Sequence, residues 1–280
     1  MSDRRAHVLD FYTRHPISAE QILAKVRAGR GHLNAVRPED LYPHDQDHYG
    51  GTAANDALVE RAGIRPGDRV ADFCAGLGGP ARYWAHRFGA SVTGVDLNPD
   101  RVRGAAELTA LVGLEDRVQV IEGDVTRTGL PDGSMDVVVS QEAFLHVPDK
   151  AAALAEAFRL LGPSGRLAFT DWIVHRPLAA EEAEIMWRGL AAQTLQSVDG
   201  YRALVAGAGF VLRSAEDLTE EWGAILEERF AMYRKLREET VRQGLPAGDE
   251  DFYGAYGKLV ELVKARALGG GRFAAEKPGA

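Results

Sequence analysis

Two carboxylates and a cluster of glycines are the residues of this chain whose types and spacing best suit ligand chemistry. Asp72 ends an apolar run and is followed by Gly76, Gly78 and Gly79. Asp96 ends a second apolar run, twenty-four residues after Asp72. Glycines let the backbone turn sharply towards a ligand, the first turn of a following helix offers unpaired N–H groups, and a carboxylate after the second strand can accept both hydroxyls of a ribose. We therefore expect a nucleotide-like ligand at this strand–turn–helix junction.

Two ligand classes fit a ribose-binding acid after a glycine turn: a dinucleotide and S-adenosylmethionine. Residues 76–81 match the dinucleotide pattern G-x-G-x-x-G only with Ala81 in the last place. Asp72 favours S-adenosylmethionine, because an acid at the end of the first strand would repel a pyrophosphate and suits an ammonium group. An NAD(P)-dependent oxidoreductase and a non-catalytic cofactor-binding protein remain the alternatives of another class.

Residues 72–78, Asp-Phe-Cys-Ala-Gly-Leu-Gly, resemble the first motif of class I S-adenosylmethionine-dependent methyltransferases, an acid followed by x-G-x-G-x-G. Cys74 replaces the first glycine, and its small side chain fits if the backbone there has an ordinary φ. The resemblance implies that the acid and glycines hold the methionine part of the cofactor, that Asp96 holds the ribose, and that a later acid flanks the adenine. The cofactor-binding residues expected on this basis are Asp72, Ala75, Gly76, Gly78, Asp96, Leu97, Asp124, Val125, Gln141 and Tyr49. The expected product is S-adenosylhomocysteine.

The segment 140–150, Ser-Gln-Glu-Ala-Phe-Leu-His-Val-Pro-Asp-Lys, narrows the resemblance. It is similar to small-molecule methyltransferases that include sarcosine and dimethylglycine N-methyltransferases, and enzymes acting on phosphoethanolamine and tocopherol precursors share looser versions. His146 has two interpretations: it ties this loop to the next helix, or it orients or deprotonates the acceptor beside Glu142. With His48, these two residues are the predicted catalytic groups.

The segment 42–51 is a second concentration of reactive side chains, with two histidines and two acids. Such residues are costly to bury without partners, so the segment is either solvated or folded over a site, and we expect a lid. Tyr49 and Trp172 suit packing against a methylated cation. The predicted substrate contacts are His44, Gln46, Asp171 and Trp172. Glu142 and Asp171 are too few to indicate a metal site, so none is predicted.

Helix-like and strand-like segments alternate from residue 52 onward, which is typical of an α/β protein with parallel strands and helices on both faces. The resemblance implies a Rossmann-like sheet of seven strands in the order 3-2-1-4-5-7-6, with the last strand antiparallel. We expect an N-terminal arm and lid over 1–51, and a methyltransferase domain over 52–280. A strand is predicted over 165–170, followed by a helical insertion over about 178–196. A long charged helix is predicted from 219 to about 243, and a final strand near 271–276.

The composition of the chain argues against several classes of binding partner. The chain has 280 residues, a net charge of −8 and one cysteine. The negative charge argues against a nucleic-acid substrate, and one cysteine excludes an internal disulfide. No apolar stretch approaches the roughly 20 residues of a membrane span, and the first residues lack an apolar signal region, so we expect a cytoplasmic enzyme. The expected partner is a small-molecule acceptor, and a homo-oligomer is left open.

The predicted reaction is in-line displacement at a sulfonium methyl group. The protein must align the reactants, exclude water and keep the acceptor in its nucleophilic protonation state. An amine of the sarcosine or dimethylglycine kind is the favoured acceptor, and O- or C-methylation of a small natural product is the alternative.

Overall fold

The computed structural model describes residues 2–13, 17–192, 194–242 and 250–279. The strands are β1 (Arg69–Phe73), β2 (Ser91–Asp96), β3 (Val118–Glu122), β4 (Met135–Gln141), β5 (Leu161–Val174), β6 (Val211–Asp217) and β7 (Leu268–Glu276). The first helices are α1 (Ser2–Thr13), α2 (Ala19–Arg30), α3 (Pro38–Leu41), α4 (Gly51–Ala62), α5 (Gly79–Phe88) and α6 (Pro99–Leu111). The later helices are α7 (Lys150–Leu160), α8 (Ala180–Leu190), α9 (Val198–Gly207), α10 (Thr219–Arg242) and α11 (Glu250–Lys264), and a 3₁₀ turn covers Phe144–His146.

The strands form one sheet in the order β3-β2-β1-β4-β5-β7-β6. Neighbouring strands from β3 to β5 run parallel, and β7 pairs antiparallel with both β5 and β6. This arrangement confirms the predicted fold. Because β1, β2 and β4 are parallel, the chain leaves all three at the same edge of the sheet.

Both faces of the sheet are covered by helices. Along β4, Val138 faces one apolar cluster with α7 and α9, whereas Val137 and Val139 face a second cluster with α4 and α5. Successive side chains of a strand point to opposite faces, so a central strand with helices on both sides must be apolar throughout. A third cluster joins α8, α10 and α11 around Trp222.

The elements differ from the sequence prediction at several places. The N-terminal arm contains helix α1, which was not predicted, and β5 covers Leu161–Val174 where the sequence indicated only 165–170. Strand β7 begins at Leu268 and not near 271, because the three glycines 269–271 pair with β5 and leave room for the ring of Trp222 over Gly270. The predicted end of the long helix at 243 lies outside the described residues. None of the described helices has the length and apolar character needed to cross a membrane.

Candidate cofactor and acceptor site

A cavity of about 890 Å³ opens at the edge of the sheet where β1, β2 and β4 end. Helix α1 and the segment 42–51 lie over it, and α10 and α11 contribute one wall. The predicted residues that line it are Asp72, Ala75, Gly76, Asp96, Leu97, Asp124, Val125, Gln141, Glu142, His146, His48, Tyr49 and Trp172. Four predicted residues are not among its lining residues: Gly78, His44, Gln46 and Asp171.

The glycine turn between β1 and α5 has a left-handed backbone at three positions. Gly76 has a φ of +54° and Gly78 a φ of +71°, and Gly78 serves as the N-cap of α5. Cys74 has a φ of +60°, so the condition for an easy fit of its side chain, an ordinary φ, is not met. A non-glycine residue in this region is strained, which accounts for glycine being the usual residue of the motif here.

Asp96 is held by the backbone of two loops. Its carboxylate accepts the N–H of Gly76 at 2.7 Å and that of Asn98 at 2.9 Å. Burial raises the pKa of Asp96, and these two N–H groups oppose the rise. A carboxylate oxygen has more than one lone pair, so Asp96 can still accept hydroxyl groups from a ligand in the cavity.

Several buried polar atoms on the cavity wall have no hydrogen-bond partner among the described residues. They are Oδ2 of Asp72, both amide atoms of Gln141 and Nη2 of Arg101. Burial, followed by the nearby charge of Asp96, raises the pKa of Asp72 well above its ordinary value. Unsatisfied buried groups are costly, and a ligand that supplies donors and acceptors removes that cost. A ligand with an ammonium group, a carboxylate and a nucleoside, as S-adenosylmethionine has, fits this set.

The segment 42–51 is fixed to the start of α5. Asp45 and Arg82 form a buried ion pair at 3.0 Å, with each side chain 1% exposed. Gln46 donates to Asp45 at 2.6 Å and accepts from Asn55 at 2.7 Å, so its amide holds the segment and does not face the cavity. His44 is half-buried away from the lining, and these positions do not support the predicted substrate contacts of either residue.

His48 is buried on the cavity wall beneath α10. Its Nδ1 lies 3.2 Å from the carbonyl oxygen of Tyr49, and its Nε2 lies 3.2 Å from Oε1 of Gln46. Burial lowers its pKa. Because both ring nitrogens face oxygen atoms that only accept hydrogen bonds, the surroundings suit an N–H donor and not the catalytic base predicted from the sequence.

Both ring nitrogens of His146 have hydrogen-bond partners, and the contact to a helix end is made with α8 and not with the next helix, α7, as predicted. Its Nδ1 lies 3.0 Å from the carbonyl oxygen of Ala191, so this nitrogen must donate and ties the loop after β4 to the end of α8. Its Nε2 lies 2.9 Å from the hydroxyl of Tyr12 in α1 and accepts from it when the ring is neutral. The sequence does not indicate Tyr12, because α1 lacks a clear apolar stripe.

Two groups of opposite charge lie on the cavity wall on either side of Tyr49. Glu142 accepts the backbone N–H of Tyr49 at 2.7 Å, and burial raises the pKa of this carboxyl group to about 8. The guanidinium of Arg229 lies 4.6 Å from the centre of the Tyr49 ring and donates to the carbonyl of His48 at 3.0 Å. In the described part of the chain, neither Glu142 nor Arg229 has an oppositely charged side chain within 4.0 Å.

Aromatic rings complete this wall. Tyr49 packs against Trp172 at 5.6 Å and against Trp222 at 5.2 Å between ring centres. The sequence did not indicate that Arg229 lines a site, because the charged run of α10 is typical of a solvated helix face. The signal that could have found it is its place three residues after the buried Leu226, on the inner face of the helix.

Asp171 holds the loop after β4 from the protein interior and is not among the residues that line the cavity. It is fully buried, accepts the N–H of Leu145 at 3.0 Å and accepts the hydroxyl of Tyr201. Lys150 acts on the same loop, donating to the carbonyls of Phe144 at 2.6 Å and Thr194 at 2.8 Å. Its pKa is lowered by burial to about 8. No group of three or more side chains suited to a metal ion occurs among the described residues.

The comparisons with known proteins decide between the two ligand classes. Residues 71–169 match the family profile of a methyltransferase domain. Methyltransferase GfsG of Streptomyces halstedii is 31% identical over 72% of this chain and 75% of its own length. The chain belongs to the class I S-adenosylmethionine-dependent methyltransferases. This membership sets aside the dinucleotide alternative.

Other methyltransferases share its domain at greater distance. Phosphoethanolamine N-methyltransferase 1 of Arabidopsis thaliana is 29% identical over 81% of this chain, which spans only 46% of that protein. A solved structure from Galdieria sulphuraria, assigned as a sarcosine dimethylglycine methyltransferase, has a TM-score of 0.73 at 24% identity. It covers 81% of this methyltransferase and 85% of its own chain, and it shows the same fold.

Proposed function

We propose that this methyltransferase transfers the methyl group of S-adenosylmethionine to the amine of a small molecule that also carries an anionic group. The observation that carries the proposal is the placement of a carboxyl group, Glu142, and a guanidinium, Arg229, on either side of Tyr49 in one cavity. Without a ligand the Glu142 carboxyl group is mostly protonated at neutral pH, and an ammonium group bound beside it would lower its pKa and favour the ionised form. An acceptor with an ammonium group and a carboxylate or phosphate complements both groups. Relatives named for phosphoethanolamine and sarcosine support this acceptor class.

The cofactor fits the loops at the carboxyl ends of β1 to β4. Asp72 and Gln141 would hold the amino-acid end, Asp96 the ribose hydroxyls, and the loops at 97–98 and 123–125 the adenine. Gly76 would let the backbone come close to the cofactor, and Gly78 forms the turn that leads into α5. Tyr49 would lie between the cofactor and the wall that binds the acceptor.

When bound, the cofactor supplies an electrophilic sulfonium methyl group. The protein then has to deliver an amine that has lost its proton. Tyr12 donates to Nε2 of His146, so the Tyr12 oxygen can take a proton from the acceptor nitrogen while its own proton passes to His146. Glu142 orients the ammonium before that transfer, and Trp172 packs against the methylated product.

A second candidate is methylation of a hydroxyl or carbon of a larger, more apolar molecule. The observation in its favour is the apolar surface that Leu9 and Phe11 of α1 add to the cavity opposite Leu190. Such an acceptor would use this surface and leave Arg229 unengaged.

The deciding experiment measures methyl transfer from labelled S-adenosylmethionine to matched acceptors. Sarcosine is compared with N-methylethanolamine, and phosphoethanolamine with ethanolamine, so that each pair differs in the anionic group. Dimethylglycine, a phenol and a sugar complete the panel. We expect anionic amines to react at least about tenfold faster than their neutral partners, and Arg229→Met to remove that preference. Turnover of the hydroxyl compounds alone would contradict the proposal.

His146→Ala separates chemistry from cofactor binding in the same assay. We expect turnover to fall by about 100-fold or more, because acid–base catalysis typically contributes that much. The affinity for S-adenosylhomocysteine, measured by calorimetry, should change little.

A further inference from the structure

Arg101 is a buried cation on the cofactor side of the cavity that no sequence motif indicated. It lies in the first turn of α6, five residues after Asp96, and its side chain is 6% exposed. Its Nη1 donates to Asp47 at 3.3 Å, and its guanidinium lies 4.9 Å from the centre of the Tyr12 ring. Arg101 is one of the residues that line the cavity, and its Nη2 is buried with no hydrogen-bond partner among the described residues.

This position joins three parts of the site. Asp47 belongs to the segment 42–51, Tyr12 belongs to α1 and donates to His146, and the charge of Arg101 acts on Asp96. Because a guanidinium is planar and carries donors in a fixed fork, orienting one nitrogen orients the others. A hydrogen bond at Nη2 therefore fixes the direction in which Nη1 meets Asp47 and the plane that covers Tyr12.

Helix α1 depends on the cavity for its position. Among its described side chains, residues 5–13, only Val8 is buried. Its polar contacts include those of Tyr12 with His146 and of His7 with the carbonyl of Trp187 at 2.9 Å. An element with few buried apolar contacts opens locally at low free energy, so one added contact changes how long it stays closed.

We propose that Arg101 binds a hydrogen-bond acceptor of the cofactor's nucleoside through Nη2 and thereby holds α1 and the segment 42–51 closed over the bound cofactor. This inference rests on the proposed function, because it requires the cavity to bind S-adenosylmethionine. Arg101 is a cofactor-binding residue in this scheme, and it positions Tyr12 for the acceptor. Cofactor binding then comes before acceptor binding, and it brings Tyr12 and the segment 42–51 into the positions that the acceptor requires.

The test is hydrogen exchange of the full chain with and without S-adenosylhomocysteine, followed by mass spectrometry of peptides covering α1 and residues 42–51. The variants are Arg101→Met, which keeps the length of the side chain, and Arg101→Lys, which keeps the charge and loses the fork. Arg103→Met is the matched control, since Arg103 lies on the same helix with its side chain 72% exposed. Calorimetry gives the affinity of each protein, and thermal unfolding without ligand checks that each variant folds.

In the unsubstituted protein and in Arg103→Met, we expect the ligand to slow exchange in α1 by about tenfold or more. Arg101→Met should lose this protection and bind the ligand about tenfold more weakly, as expected for one charge-assisted hydrogen bond. Arg101→Lys should keep part of the affinity without the protection. Full protection of α1 in Arg101→Met would overturn the inference while leaving the proposed function intact. Absence of ligand binding in the unsubstituted protein would overturn both.

Discussion

Asp96 is the single residue on which ribose recognition should depend most. Each hydroxyl bonded to its carboxylate contributes a charge-assisted hydrogen bond, and the same carboxylate holds the glycine turn through Gly76. We expect Asp96→Ala to weaken S-adenosylhomocysteine binding by about 100-fold or more, measured by calorimetry. Asp100→Ala, which removes an exposed acid in the first turn of α6, is the control. An affinity within threefold of the unsubstituted protein would refute the ribose assignment.

Glu142 should make stability depend on pH in a defined direction. Its pKa rises from 4.5 to about 8 in the folded state because of burial. The folded protein therefore binds this proton more tightly than the unfolded chain, so the group's stabilising contribution is complete below about pH 4.5 and is lost as the pH rises to 8.

The measurement is urea unfolding at several pH values between 5 and 8, on the unsubstituted protein and on Glu142→Gln. We expect the free energy of unfolding to fall less steeply with pH in the variant, by up to about 1 kcal/mol per pH unit. Parallel curves for the two proteins would show that Glu142 is ionised throughout this range.

At the scale of elements, the contact between the segment 42–51 and α5 depends on one glycine. A Cβ built on Gly79 would collide with the backbone carbonyl of Asp45, next to the buried pair of Asp45 and Arg82. We expect Gly79→Ala to displace the segment and leave a buried charge less well paired, destabilising the protein by about 3 kcal/mol.

Thermal unfolding of Gly79→Ala and calorimetry with S-adenosylhomocysteine would measure both effects of this displacement. Gly207→Ala is the control, because Gly207 lies in α9 with no atom within 4 Å of an added Cβ. Equal melting temperatures for the two variants would show that the segment is not fixed to α5 in solution.

The loop after β4 is a second element whose position is set by buried groups outside the cavity. Lys150→Met removes the ammonium group that donates to the carbonyls of Phe144 and Thr194, and of these the Phe144 carbonyl keeps only the N–H of Val147. We expect a loss of about 3 kcal/mol in stability and at least a tenfold fall in turnover. The affinity for S-adenosylhomocysteine should stay within threefold, because most of the proposed cofactor contacts are with the loops after β1, β2 and β3.

Lys264→Met serves as the matched control for Lys150, since Lys264 is 56% exposed on α11. A pH–rate profile adds a second readout: if Lys150 positions His146, the profile of Lys150→Met should change in shape as well as in height. A uniform fall in rate that follows the unfolded fraction would indicate a structural role alone.

At the scale of the whole molecule, cofactor binding should stabilise the fold by mass action. At 100 times its dissociation constant a ligand contributes about 2.7 kcal/mol, which corresponds to roughly 5–10 °C in a domain of this size. We expect this shift in melting temperature with S-adenosylhomocysteine and none with NADH. Stabilisation by NADH alone would contradict the assignment of the cofactor.

A parallel sheet with helices on both faces could be predicted from the sequence patterns, and the strand order was implied by the resemblance to the methyltransferase family. The apolar runs at 70–73, 91–95 and 135–139 and the glycine turn after Asp72 are local patterns, and a parallel sheet with right-handed crossovers leaves few ways to combine them. The position of the cofactor-binding loops could then be predicted as well, because the carboxyl ends of parallel strands meet at one edge of the sheet.

The acceptor side could not be predicted in the same way. Arg229 and Tyr12 come from helices whose sequences look solvated, and they reach the cavity only because α10 and α1 pack over the sheet edge. Asp171 and Gln46 failed as substrate contacts for the opposite reason. Both have reactive side chains near the site, but buried donors and acceptors already engage them.

The sequence by itself determined the strands, the glycine turn and the acids that end β1 and β2, because each depends on residues close together in the chain. Which polar groups face the cavity, and which are engaged in hydrogen bonds in the interior, could be seen only in the tertiary structure. That choice depends on pairings between distant segments, such as Tyr12 with His146 and Asp47 with Arg101. A hydrogen bond or an ion pair between residues more than fifty positions apart leaves no local pattern, so packing alone reveals it.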